Sequence, residues 1–108
     1  MGLYRAFVQS ATTNNFPNTS AVTEAALTTT ASVVLANRPA LNRRGFAIEN
    51  DGTVPMIFAY GATVTAAARS IRLEPGDYFE DTFNWQGAIS AMSVSGSGTA
   101  NITELTIV

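Results

Sequence analysis

The sequence predicts an all-β fold, an antiparallel β-sandwich or small β-barrel of about seven to eight strands. Apolar residues recur at period two, most clearly at Phe46, Ile48, Met56 and Phe58, as expected when one face of a strand is buried. Turn-forming clusters rich in Gly, Pro, Asn and Asp punctuate these runs at intervals of about 8 to 12 residues. The connections are short enough to imply antiparallel neighbours.

Leu3 to Gln9 reads as a first strand, because Tyr4, Phe7 and Val8 crowd a short run that polar residues then stop. Ser10 to Ser20 is mostly Ser, Thr and Asn around Phe16 and Pro17 and predicts an extended arm or loop, since it offers little to bury. Ala21 to Leu27 contains good helix formers, but the three threonines that follow are stiff at χ1, which favours strand. Ala31 to Ala36 predicts another strand, closed by a turn before Pro39.

Gly45 to Tyr60 predicts a β-hairpin: Phe46 and Ile48 alternate on one side of Asn50-Asp51-Gly52, with Val54, Met56, Phe58 and Tyr60 on the other. The turn is expected at the surface, and Pro55 suits an edge strand because it lacks an amide donor. Gly61 to Arg69 predicts a loop. Ile71 and Leu73, then Glu74-Pro75-Gly76-Asp77 with the order of a type II turn, then Tyr78-Phe79, predict a second hairpin. A third is predicted from Gly87 to Val94 and Ala100 to Val108 around Ser95-Gly96-Ser97-Gly98, with Leu105 and Ile107 on one face and a bulge near Thr103. The expected core is Phe46, Ile48, Met56, Phe58, Ile71, Leu73, Ile89 and Leu105.

The chain has 108 residues and 46% hydrophobic content, which predicts one domain over 1–108 that folds without disulfide or metal staples. Cysteine and histidine are both absent. Thiolate nucleophiles, Ser-His and Cys-His machinery and the commonest transition-metal ligands are therefore excluded, and no enzyme, catalytic residue, metal or cofactor is predicted. All 6 basic residues are arginine and the net charge is −2, so attraction to nucleic acid is not expected. No stretch approaches the roughly 20 apolar residues of a membrane span, so a soluble protein without a membrane partner is expected.

A few groups remain as candidates. Glu74, Asp77, Glu80 and Asp81 form an acidic cluster that reads first as a solvated turn, with a loose calcium site or a carboxylate pair as sharper alternatives. Arg43 and Arg44 are candidate interface residues, able to fork onto carboxylates of an acidic partner. Trp85, in a polar context within the densest aromatic stretch, is a candidate interface anchor, and Phe16 is a candidate contact on the arm. Asn18-Thr19-Ser20 and Asn101-Ile102-Thr103 match the glycosylation pattern, which is short enough to arise by chance.

The stretches Asn42-Arg43-Arg44-Gly45, Ile48-Glu49-Asn50-Asp51-Gly52-Thr53, Gly61-Ala62-Thr63, Leu73 to Glu80, Gly87-Ala88-Ile89-Ser90 and Thr103-Glu104-Leu105 resemble small structural proteins of tailed bacteriophages. The resemblance covers about Asn42 to Val108. It implies a non-enzymatic virion component, a cement or decoration protein on the capsid surface. Its partner would be the major capsid protein, and it would form a homo-oligomer, with a trimer favoured. The alternative is a tail or baseplate component, or an adhesion module for host-surface carbohydrate.

Overall fold

The computed structural model describes residues 16–108. Their eight strands are β1 (Thr19–Leu27), β2 (Ser32–Leu35), β3 (Arg43–Asn50), β4 (Met56–Tyr60), β5 (Ile71–Leu73), β6 (Tyr78–Glu80), β7 (Ile89–Ser93) and β8 (Gly98–Thr106). The strand expected over Leu3–Gln9, and most of the arm, lie outside the described residues. Thr19 and Ser20, expected in the arm, open β1 instead.

Two four-stranded antiparallel sheets stack face to face, one ordered β1-β8-β3-β6 and the other β2-β7-β4-β5. This is the winding of a jelly roll, in which a folded-over ribbon of strands passes repeatedly between two layers. The three tight connections expected to make hairpins are therefore arches. β3 and β4, β5 and β6, and β7 and β8 each fall in opposite sheets. Alternation of apolar residues is the same on either side of a hairpin and of an arch, because both present one face of each strand to the core. A four- or five-residue connection such as 51–55 can turn the chain across a core about 10 Å thick as readily as back along its own sheet. Among the described residues only β4 and β5, joined by the long 61–70 loop, are consecutive strands that pair with each other.

The arches are built from the expected turn chemistry. Gly76 has φ +89°, as the third residue of a type II turn requires, and the amide of Asp77 donates to the carbonyl of Glu74 at 2.9 Å. Asn50, expected outside, is buried. Its Nδ2 donates to the carbonyls of Val54 and Leu73, both at 2.9 Å, while its Oδ1 accepts from the amide of Gly52 at 2.9 Å. One side chain thus ties two arches together at one end of the sandwich.

The main core contains Phe46, Ile48, Met56, Phe58, Leu73 and Ile89, as expected, together with Leu27, Leu35, Ala91, Ala100 and Ile102. Ile71 is half-buried against it. Leu105 is not part of it: β8 runs in unbroken register against β1, turning Ala100, Ile102, Glu104 and Thr106 inward and Leu105 outward. The irregularity expected near Thr103 lies instead in β3, where Arg43 pairs with Thr106 and Gly45 with Leu105, so that Arg44 is the extra residue. β4 is an interior strand, not an edge; Pro55 precedes it and accepts from the amide of Val94 at 2.9 Å. Met56 and Phe58 face the main core. Ile57 and Ala59 are covered on the opposite side by Val64 of the 61–70 loop, with Ala31 and Met92 packed alongside, which explains why four consecutive residues of β4 are buried.

Candidate interaction surfaces

The extra residue in β3 reverses side-chain parity, and that decides the fate of the two arginines. Phe46 and Ile48 point inward at even positions; beyond the bulge the odd residue Arg43 does so, opposite the buried Thr106. Arg43 is 0% exposed. Its Nε donates to Glu104 Oε2 at 2.8 Å and its Nη1 to the carbonyls of Trp85 at 3.0 Å and Gly87 at 2.7 Å, with Nη2 on the carbonyl of Ala36. Glu104 also receives both the Nε and an Nη2 of Arg38. The carboxylate expected for Arg43 is thus supplied by its own chain, and no free fork remains for another protein. Arg44 is half-exposed, with Nη1 on the carbonyls of Leu41 and Arg43 at 3.0 and 3.2 Å.

The hydrogen bond from Arg38 is the largest influence on Glu104 and holds its carboxyl below the usual glutamate range; burial opposes this and Arg43 reinforces it. Guanidinium groups suit such a site because they remain charged when buried and match a carboxylate with parallel donors. The cluster joins β3, β8, the segment after β2 and the loop before β7.

The acidic residues expected to cluster are separated. Glu74 and Asp77 lie in the exposed arch between β5 and β6, and Glu80 lies on the outer face of its sheet. Asp81 is buried: it accepts from the Tyr60 hydroxyl at 2.8 Å and from the amides of Phe83 and Trp85 at 3.2 and 3.1 Å. Burial, followed by this bond, raises the Tyr60 phenol well above its ordinary value. Among the described residues no group of three or more acidic, histidine or cysteine side chains converges as metal ligands would.

Trp85 is half-buried rather than presented to solvent. Its Nε1 donates to the carbonyl of Ala88 at 2.9 Å, and its ring meets Tyr60 edge-on at 5.4 Å. The residue that projects from this loop is Phe83, 75% exposed, its ring edge-to-face with Tyr60 at 6.3 Å. Tyr78 and Phe16 are also exposed. An open groove of about 250 Å³ crosses β3, β6 and β8; Ala47, Thr103 and Leu105 line it, with Arg44 and Glu80 beside them. Of the two rings in this loop, Phe83 is the more exposed and Trp85 the more covered, a difference that the loop's polar context does not reveal.

No family model matches the sequence, and a search of curated proteins finds no relative. Among solved structures, the chain is similar to a de novo designed double-stranded β-helix, with TM-score 0.52 and 18% identity over 78% of this chain and 97% of that one. It is also similar to a protein of Bacillus endospore appendages that form a family of disulfide-linked pili, with TM-score 0.50 and 15% identity over 83% of this chain and 87% of that one. At such identities the likeness concerns the fold, a double-sheet winding that takes unrelated sequences and roles.

Proposed function

We propose that this chain is a non-catalytic structural component of a tailed-phage virion, a capsid cement or decoration domain that binds the major capsid protein and reinforces the shell. One observation supports it above the others: the buried Arg43, Glu104 and Asp81 at the loop end, with the half-buried Tyr60, are committed to hydrogen bonds within the fold. Catalysis needs such groups turned toward a substrate, whereas a building block uses them to fix its shape. The surface offers shape, exposed Phe83 and Tyr78 and a nearly balanced charge, which suits a protein partner better than nucleic acid. The jelly roll is a common capsid architecture, a fold-level analogy that agrees with the phage resemblance.

Copy number tests the assignment. Quantitative mass spectrometry of purified particles is expected to find the chain at hundreds of copies, in fixed ratio to the major capsid protein; a handful of copies would point to the tail. The exposed Phe83 beside Asn84 also fits a carbohydrate-stacking tail module, and glycan-array binding abolished by Phe83→Ala would favour that second reading.

A further inference from the structure

Four strands form the edges of the two sheets, and they differ sharply in length. β5 and β6 have 3 residues each, and β2 has 4 with a register shift inside it. Short or irregular edges are the usual protection against unwanted pairing. β1 has 9 residues in unbroken register, carries no proline or basic residue, and pairs only with β8 among the described residues. Its first six residues are exposed on both faces, and Val22 is 70% exposed. The only charge on it is Glu24.

We propose that the edge of β1 left open among the described residues pairs antiparallel with β1 of a second copy, joining the two β1-β8-β3-β6 sheets into one continuous sheet across a two-fold axis. A two-fold edge pair is self-complementary, so the sequence of β1 restricts its register. Centring on Glu24 would set the two carboxylates directly opposite each other, which is unfavourable. Centring on Val22 places the exposed valines side by side and sets Ala21 against Thr23 and Ser20 against Glu24 of the second copy, where the serine hydroxyl can donate to the carboxylate. Seven residues, Thr19 to Ala25, take part. Leu27 stays in the core of its own subunit. The amides and carbonyls of the edge that have no partner among the described residues are thereby satisfied by the one partner always present at equal concentration. Any three-fold arrangement would use a different surface, and the pairing does not depend on where the protein resides.

The absence of cysteine makes the test direct. The full chain is expected to sediment as a dimer, and Val22→Cys to give a covalent dimer on mild oxidation, because directly opposed residues bring their Cβ atoms to about 5 Å. Val33→Cys, exposed on β2, serves as the control and is expected to stay uncrosslinked. Val22→Arg, which opposes like charges without touching the subunit core, is expected to weaken the dimer by about tenfold with an unchanged circular dichroism spectrum. A chain that sediments as a monomer, an oligomer unaffected by Val22→Arg, or equal cross-linking at the two cysteine positions would overturn the proposal.

Discussion

Replacing Glu104 by glutamine leaves the Arg43 guanidinium buried without its counter-charge, and the cost follows from the difference between the two arginines that share the carboxylate. Arg43 is fully enclosed, whereas the side chain of Arg38 is 39% exposed and can rehydrate. Removing one partner of a buried ion pair typically costs about 3–5 kcal/mol. The lower end applies, because the amide oxygen still accepts a hydrogen bond and Arg43 keeps the carbonyls of Ala36, Trp85 and Gly87. Glu104→Gln is therefore expected to destabilise by about 3 kcal/mol, a large share of the roughly 5–15 kcal/mol available to a small domain. Arg38→Ala removes a solvent-screened pair and is expected to cost only about 0.5–1 kcal/mol. Urea unfolding followed by Trp85 fluorescence would place the Glu104→Gln midpoint roughly 1.5 M below the native one for a slope near 2 kcal/mol/M. The acid side gives an independent check. Glu104 titrates lower in the folded chain than in the unfolded chain, so its contribution is complete above the ordinary glutamate value of about 4.3 and is lost as pH falls through the depressed folded value. The stability difference between native and Glu104→Gln proteins should accordingly close in acid. A cost below about 0.5 kcal/mol, or Arg38→Ala costing as much as Glu104→Gln, would refute the assignment of Arg43 as the dependent charge.

Three further outcomes are expected. Gly87→Ala would place a Cβ 2.6 Å from Cζ2 of the Trp85 ring, which is held by Ala88 and Tyr60, so a loss of about 1–3 kcal/mol should appear in thermal unfolding with a shifted tryptophan emission. The raised Tyr60 phenol should stay protonated through the pH range near 10 where ordinary tyrosines ionise; because its folded value exceeds the unfolded one, stability is retained below pH 10 and lost as pH rises further, read as one tyrosine missing from the 295 nm titration until the chain unfolds. Phe83→Ser should leave stability within about 0.5 kcal/mol while weakening attachment to particles in a co-sedimentation assay.

Much of the layered fold was legible in the strand periodicity. Phe46, Ile48, Met56, Phe58 and Ile89 alternate cleanly because one face of each strand meets the main core, and the Pro75-Gly76 turn follows from φ requirements that few residues meet. The pairing of strands was not legible, since Asn50-Asp51-Gly52 supports a hairpin or an arch equally well and the choice rests on long-range contacts between β3 and β8. The burial of Ile57 and Ala59 depends on Val64 in a loop with no strand signal. Arg43 and Glu104 were hidden for a sharper reason. Arg43 stands beside Arg44 and reads as surface, Glu104 falls on the face opposite the expected core residue Leu105, and only a single extra residue in β3 turns Arg43 inward to the one carboxylate that β8 also turns inward. A reading by strict alternation carries one parity through the whole strand and so does not register a bulge.

On the proposed function, this domain is one repeated part of a shell. Cryo-electron microscopy of whole particles from the source would locate it. Density for the eight-stranded sandwich is expected to repeat across the capsid lattice in contact with the major capsid protein; density confined to the tail, or none on the particle, would contradict that role.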